Sequence, residues 1–182
     1  MAVFVIYFRN NFQYFQWRWV YNAFQKPIVT VDEAGNPRFY VYEADKLRYE
    51  IDQEGYITSY EHNVFGNIIK LTRHDKAINL DLSTFATTGI PLSTIAKSLE
   101  VSDKDRSVFL DYDRANRPIS TTQSSIPVYI PEESGNAKYG EFSPIKINEY
   151  NAFSEIHTQR ELVDPFNQLW DVTRNDSVAT SL

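Results

Sequence analysis

The sequence is poor in several residue types, and each shortage removes a class of function. It contains no cysteine, which excludes a disulfide framework and any thiolate site for zinc or catalysis. Only 6 glycines occur, and none belongs to a glycine-rich phosphate loop. Basic side chains number 18 against 24 acidic ones, with a pI near 5.1. This balance argues against a nucleic-acid partner bound through a basic surface.

Long apolar runs are also missing. The N-terminal run over residues 2–8 is far shorter than the roughly 20 residues that span a bilayer, so we predict no transmembrane segment. No basic residue precedes the run and large aromatics follow it, so we predict no signal peptide. We expect residues 1–19 to be an atypical aromatic segment. It is interpreted as strand material, with an interfacial membrane segment around Trp17 and Trp19 as the alternative.

Aromatic residues are abundant and they recur in a pattern. The chain has 12 Tyr and 12 Phe, whereas disordered chains are poor in aromatics. The tetrapeptide YNAF at 21–24 recurs as HNVF at 62–65 and as YNAF at 150–153. Looser copies are YEAD at 42–45 and YDRA at 112–115. Self-similarity of this kind indicates an internal repeat.

The spacing of the copies is regular. Tyr42 lies 21 residues after Tyr21, and His62 lies 20 residues after Tyr42, because one residue is missing after Asp45. A second element lies between them: VDEAG at 31–35 matches IDQEG at 51–55. Two anchors that keep the same spacing make coincidence an inadequate explanation.

Each unit is predicted to be a β-hairpin. Asp32 and Gly35 are three apart, as are Asp52 and Gly55, which suits the first and last positions of a type I turn. Residues that favour strands flank both turns, and alternation over 56–62 places aromatics on one face. A single hairpin cannot bury its own apolar face, so the units must stack into a growing sheet. The predicted fold class is therefore all-β.

These elements resemble the rearrangement-hotspot (RHS) or YD-repeat family. The closest local match to its Tyr-Asp-x-x-Gly-Arg motif is DYDRANR at 111–117, with Asn116 at the glycine position. Asn is the best substitute there because it tolerates the left-handed conformation. The match is clearest over 20–75 and 108–122 and weaker over 145–175. The turn and repeat markers are Tyr21, Asp32, Gly35, Asp52, Gly55, Tyr112, Asp113, Asn116 and Tyr150.

The resemblance implies stacked YD hairpins within an extended, spirally wound sheet. In large members of the family that sheet closes into a shell around a toxin, in bacterial proteins that are secreted or displayed at the surface. It also implies a non-catalytic wall segment whose partners are neighbouring repeats of a longer chain or a partner shell component. We see no terminal caps and expect a fragment of such a protein. Asp164-Pro165 shares two letters with the family's self-cleaving segment, so Asp164 receives no protease role.

The repeats suggest a division of the chain. We expect YD-type repeats over 20–75, an irregular insertion with a short helix near 91–100 over 76–107, and further repeats over 108–175. Prolines and glycines predict a loop at 123–144, and residues 176–182 form a polar tail.

Residues with catalytic or metal-binding chemistry are few. The histidines His62, His74 and His157 lack zinc spacing. Four carboxylates in two turns would suit a glycosidase pair, but their turn positions favour capping: Asp32, Glu33, Asp52 and Glu54. Asp103, Asp105, Asp111 and Asp113 lack the spacing of a calcium loop. Ser93 and Ser98 have no nucleophile context. We predict no catalytic residue, no metal and no cofactor.

The aromatic strand faces are the one feature with binding potential. Tyrosine faces stack on the apolar sides of sugar rings, and the family is linked with carbohydrate binding. The candidate binding residues are Tyr40, Tyr42, Tyr56 and Tyr60. The alternative is that most of these rings pack between strands as core. The sequence thus predicts a scaffold segment first and a carbohydrate- or surface-binding module second.

Overall fold

The computed structural model describes an antiparallel β protein. It covers the backbone of residues 2–10, 13–131, 137–162, 168–171 and 180–181, and the side chains of residues 17–127 and 140–161. Most of the described residues lie in strands that pair with their neighbours in antiparallel fashion. The all-β class predicted from the sequence is confirmed.

The described strands are numbered in chain order. They are β1 (Ala2–Asn10), β2 (Gln13–Tyr21), β3 (Pro27–Val31), β4 (Pro37–Glu43), β5 (Lys46–Ile51), β6 (Tyr56–His62), β7 (Ile68–Ala77), β8 (Arg106–Tyr112), β9 (Pro118–Gln123), β10 (Ile126–Pro131), β11 (Ala137–Phe142), β12 (Ile145–Tyr150), β13 (Ile156–Leu162), β14 (Gln168–Asp171) and β15 (Thr180–Ser181). The insertion lies between β7 and β8. The described helices are a 3-10 helix (Leu82–Phe85) and α1 (Leu92–Ser98).

The chain divides into two compact units. Unit 1 comprises Met1–Gly66 and Leu71–Asp105, and unit 2 comprises Asn67–Lys70 and Arg106–Leu182. In unit 1 the strands pair in chain order from β1 to β6. In unit 2 the order is β8, β9, β12, β13, β14 and β15, and β10 pairs with β11 separately.

The core of unit 1 is a row of apolar residues across four strands. Val29 pairs with Phe39, Phe39 with Ile51, and Ile51 with Ile57, and all four are 0% exposed. Because side chains alternate along a strand, this row defines one face of the sheet as the core face. The residues that alternate with them, including Tyr56 and Tyr60 of the predicted aromatic face over 56–62, point to the opposite face.

An insertion over residues 78–105 covers the core face. Ile78, Ile90 and Ile95 are buried in the same cluster as the strand residues, and Ile95 on α1 is 0% exposed. Leu99 packs against that cluster, four residues after Ile95, so the short helix expected near 91–100 is present. The period breaks here because the chain leaves the sheet to bury its apolar face. No helix within the described residues is long and apolar enough to cross a bilayer.

The loop predicted over 123–144 is wrong, since most of this segment is a β-hairpin. β10 and β11 pair antiparallel, with Pro127 opposite Glu141 and Pro131 opposite Ala137. The two prolines are four residues apart, so their missing N–H groups fall on the same side of the strand. Proline is tolerated on a strand of which one edge is free. The prolines therefore misled the prediction.

Candidate functional site

Six hairpin turns of the described chain share one hydrogen-bond pattern. The side-chain oxygen of the first residue, Asp or Asn, accepts the N–H of the third residue at 2.8–3.1 Å. The N–H of the fourth residue donates to the first carbonyl at 3.0–3.2 Å. The fourth residue always has a positive φ, between 59° and 91°. These turns are residues 22–25, 32–35, 52–55, 63–66, 113–116 and 151–154.

The sequence markers occupy matching positions in these turns. Asp32 and Asp52 are first residues and Gly35 and Gly55 are fourth residues, with φ of 87° and 88° for the glycines. The two elements that the sequence presents as different, YNAF and VDEAG, adopt the same turn at opposite ends of a hairpin. Backbone and side-chain hydrogen bonds from Asn36 hold the pKa of Asp32 below its usual value.

The same arrangement recurs in unit 2. Asp113 begins the turn and Asn116 takes the left-handed fourth position, with φ of 59°. The backbone N–H of Arg117 and then its guanidinium lower the pKa of Asp113, so this carboxylate stays ionised. Tyr112 and Tyr150 are the last residues of β8 and β12.

The turn at 43–46 is one residue shorter than the others. Glu43 pairs directly with Lys46, and both intervening residues have positive φ, 45° at Ala44 and 73° at Asp45. This is the geometry of a two-residue type I′ hairpin turn. The missing residue in the sequence spacing therefore corresponds to a shorter turn, which leaves the strands on both sides intact.

The turns 22–25, 43–46 and 63–66 lie along one edge of unit 1, and a lysine at each of the first two reaches the next turn. Lys26 Nζ donates to the Asp45 carbonyl at 2.5 Å, and Lys46 Nζ donates to the Asn63 carbonyl at 2.9 Å. Lys26 also lies 5.3 Å from the centroid of the Tyr42 ring. Each such contact stabilises by about 0.5–1 kcal/mol at an exposed site. Together these contacts link each hairpin to the next.

Equivalent positions form the same links within unit 2. Asn67 Nδ2 donates to Asn116 Oδ1 at 3.0 Å, and Arg117 Nη1 donates to Ser154 Oγ at 3.2 Å. The Arg117 guanidinium lies 4.6 Å from the centroid of the Tyr150 ring. Arg117 was recognised from the sequence as part of the DYDRANR motif, but its contact with the next turn was not predicted.

The tyrosines before two of these turns bond to the preceding hairpin. Tyr112 donates its hydroxyl to the Ile68 carbonyl at 2.9 Å, and Tyr150 donates to the Pro118 carbonyl at 2.8 Å. Each acceptor lies five residues after the first residue of the preceding turn. Aromatic position, turn and following cation therefore form one recurring set of contacts.

The predicted binding tyrosines lie on the open face of unit 1, opposite the core. Lys26 covers the ring of Tyr42, and Arg73 lies 5.6 Å from the centroid of the Tyr56 ring. Burial and a hydrogen bond to Glu50 raise the pKa of Tyr60 to about 12. Tyr40 and Tyr42 line a smaller groove of about 240 Å³, and of the four predicted residues Tyr40 alone lines a larger one.

That groove is a depression of about 480 Å³ on unit 1. Its aromatic walls are Trp17 and Tyr40, and its charged walls are Arg38, Asp32, Asp52 and Glu54. Trp17 also stacks on Trp19, with ring centroids 6.0 Å apart. No sequence pattern indicated that Trp17 and Tyr40 line one groove.

A chain of three buried or half-buried side chains connects the sheet to the insertion. Ser59 Oγ lies 3.0 Å from His74 Nε2, and His74 Nδ1 lies 2.8 Å from Asp105 Oδ2. The backbone N–H groups of Asp75 and Ser102 also donate to Asp105. Burial raises the pKa of Asp105, but these hydrogen bonds outweigh it and the net pKa is lowered.

The hydrogen-bonded series Ser59–His74–Asp105 has the connectivity of a serine hydrolase triad, which sequence reasoning missed. Ser59 and His74 lie on adjacent strands, and Asp105 returns from the insertion, so no local motif marks them. His74 is 5% exposed, and the groove of about 480 Å³ beside Trp17 and Tyr40 is lined by other residues. A nucleophile needs space for its substrate. We interpret these hydrogen bonds as a structural link between the insertion and β7.

Metal chemistry finds no support in the described part of the chain. No three His, Asp or Glu side chains there are grouped closely enough to hold a metal ion. His62 stands at a repeat position, where burial and then Lys46 and Arg48 lower its pKa. No family model matches the chain, and no curated protein is significantly similar to it.

Proposed function

We propose that the chain is a structural wall segment of an RHS or YD-repeat protein, without catalytic activity. The observation that carries this proposal is the recurring set of contacts at the hairpin turns. The same turn, the same aromatic position and the same following cation or amide recur in both units. Such contacts suit a sheet that grows by adding equivalent hairpins.

Exposed phenylalanines at the turn tips fit the same proposal. Phe24 and Phe65 occupy the third position of their turns in unit 1 and are 79% and 75% exposed. Phe153 occupies that position in unit 2 and is 85% exposed. Large apolar side chains exposed in this way mark contact surfaces. In a longer secreted or surface-displayed protein they would meet neighbouring repeats or a partner shell component.

The flanking coding sequence tests this proposal. We expect it to encode further copies of the 20–21-residue period in the same reading frame. Each copy should carry Asp or Asn at the first turn position and Gly, Asn or another residue tolerant of positive φ at the fourth. Stop codons directly on both sides, with no further copies, would contradict a role as one segment of a longer wall.

Carbohydrate binding is the second candidate, and the groove beside Trp17 and Tyr40 is the observation that favours it. Aromatic faces next to carboxylate, amide and guanidinium groups provide the apolar and polar contacts that a sugar ring requires. A glycan array with the parent chain and Tyr40→Ala tests this candidate. Tyr56→Ala is the matched control, because Arg73 already covers that ring.

The expected result is specific glycan binding that Tyr40→Ala removes and Tyr56→Ala retains. Circular dichroism spectra should show that both variants keep the β-sheet. No glycan bound by the parent, or equal loss in both variants, would reject the groove as a carbohydrate site.

A further inference from the structure

The groove beside Trp17 and Tyr40 carries an excess of negative charge. Its three carboxylates belong to Asp32, Asp52 and Glu54. Among the described side chains that line the groove, Arg38 carries the guanidinium, and its Nη1 is paired with Glu50 Oε1 at 2.7 Å. A bound group of negative charge would therefore meet repulsion, and no described side chain that lines the groove offers an unpaired cation in compensation.

The carboxylates differ in how much of their charge is available. Asp52 Oδ2 lies 2.6 Å from Arg73 Nη2, and Asp32 bonds to the amides of its own turn. Glu54 is exposed in the turn 52–55, and no described side chain pairs with its carboxylate. Glu54 is thus the carboxylate most available to a ligand.

The spread of these carboxylates suits an extended ligand. Asp32 and Asp52 begin turns that lie two strand spacings apart, on the order of 10 Å. Within the described residues no three such groups come together around a single ion. Arg73 pairs with Asp52, so the carboxylates left to a ligand at the two turns are Glu54 and Asp32, whose own partners are neutral amides. A ligand that pairs with both carries positive charge at more than one point along its length.

The aromatic walls of the groove restrict the class of ligand further. The faces of Trp17 and Tyr40 attract cations through the ring quadrupole and also contact apolar C–H groups. A pyranose ring that bears an ammonium group offers both. We infer that the groove binds an oligomer of an amino sugar, with the ring faces on the aromatics and the ammonium groups towards the carboxylates. This inference rests on the carbohydrate-binding candidate.

Calorimetric titration of the full chain with a glucosamine hexasaccharide tests the inference. The matched probes are the N-acetylated hexasaccharide, which is neutral, and a uronic acid hexasaccharide, which is anionic. We expect the glucosamine oligomer to bind and the other two to bind at least about tenfold more weakly. Physiological ionic strength limits non-specific attraction of a polycation to this acidic chain.

Three variants show where the ligand binds. Glu54→Gln should weaken binding about two- to fivefold, the value of one exposed ion pair. Glu33→Gln changes the same kind of exposed turn residue outside this groove and should leave affinity unchanged. Tyr40→Ala should weaken binding about tenfold through the loss of one aromatic wall. Glu54 is exposed, so its variant stays informative even where Tyr40→Ala impairs folding.

The outcomes separate the two levels of the proposal. Equal binding of the N-acetylated oligomer, lost in Tyr40→Ala, would keep a carbohydrate site and overturn the amino-sugar inference. Binding of glucosamine oligomer that neither Glu54→Gln nor Tyr40→Ala weakens would overturn the inference as non-specific charge attraction. No binding of any oligomer would overturn both the inference and the carbohydrate-binding candidate.

Discussion

Gly55 and Gly35 form a matched pair that measures how the insertion docks on the sheet. Both occupy the fourth position of the same turn, with φ of 88° and 87°. Alanine at either position lowers the free energy of unfolding by about 1–2 kcal/mol, because its Cβ disfavours the left-handed conformation. A Cβ at Gly35 would meet no atom within 4 Å, whereas at Gly55 it would lie 3.1 Å from the Ile78 carbonyl oxygen.

A Cβ at Gly55 would contact the backbone of Ile78, which is held in place by other contacts. The Ile78 N–H donates to the Gly55 carbonyl at 2.9 Å, and the Ile78 side chain is buried. Overpacking against such a site costs about 1–3 kcal/mol more. We therefore expect Gly35→Ala to lower the free energy of unfolding by about 1–2 kcal/mol and Gly55→Ala by about 2–5 kcal/mol.

Urea unfolding followed by tryptophan fluorescence measures both values. Hydrogen exchange at the Ile78 amide adds a local readout, which should accelerate in Gly55→Ala and stay unchanged, beyond the global effect, in Gly35→Ala. Gly35→Asn is a further control, because Asn takes the equivalent position at residue 116. Equal destabilisation by the two alanine variants would refute the docking of Ile78 over Gly55.

Three further expectations concern the polar contacts of unit 1. Asp105→Asn should lower the free energy of unfolding by about 1–3 kcal/mol, because a charge-assisted buried network is lost, and Ser59→Ala by about 0.5–1.5 kcal/mol, as urea unfolding will show. A fluorophosphonate probe should leave Ser59 unlabelled in the folded chain; stoichiometric labelling detected by mass spectrometry would reject the structural role. In ultraviolet titration, Tyr60 should ionise near pH 12. Since the pKa of Tyr60 in the folded chain exceeds the ordinary tyrosine value of 10.0, its contribution to the free energy of unfolding is present below pH 10 and is lost as pH rises towards 12. Glu50→Gln should bring this ionisation closer to pH 10, and an unchanged titration would contradict the assigned contact.

The local features of this fold are readable from its sequence because they depend on neighbouring residues. An Asp or Asn followed three residues later by Gly or Asn specifies a turn through hydrogen bonds within five residues. The spacing of Tyr21, Tyr42 and His62 even records the shorter turn at 43–46. The β class follows from such turns and from alternation between them.

The parts that resisted prediction depend on residues distant in sequence. Ser59, His74 and Asp105 meet because two strands and an insertion converge. Trp17 and Tyr40 line one groove only after β2, β3 and β4 have paired. Lys26 covers the ring of Tyr42 and Arg73 that of Tyr56. The identity of a long side chain in the sequence does not show which neighbour it will contact.

The hairpin β10–β11 illustrates a different limit. Proline usually signals a break, yet its effect depends on whether its missing N–H would face a partner strand. In a two-stranded pair, each strand has one free edge that accommodates proline. Pairing partners therefore decide the meaning of Pro127 and Pro131.

Sedimentation velocity over a range of concentrations tests most directly whether this chain is a segment of a larger wall. A segment of this kind has strand edges and exposed turn phenylalanines that are made to contact further repeats. We expect association, with a weight-average sedimentation coefficient that rises with concentration. A single monomeric species at all concentrations, together with a sharp and reversible unfolding transition, would contradict it.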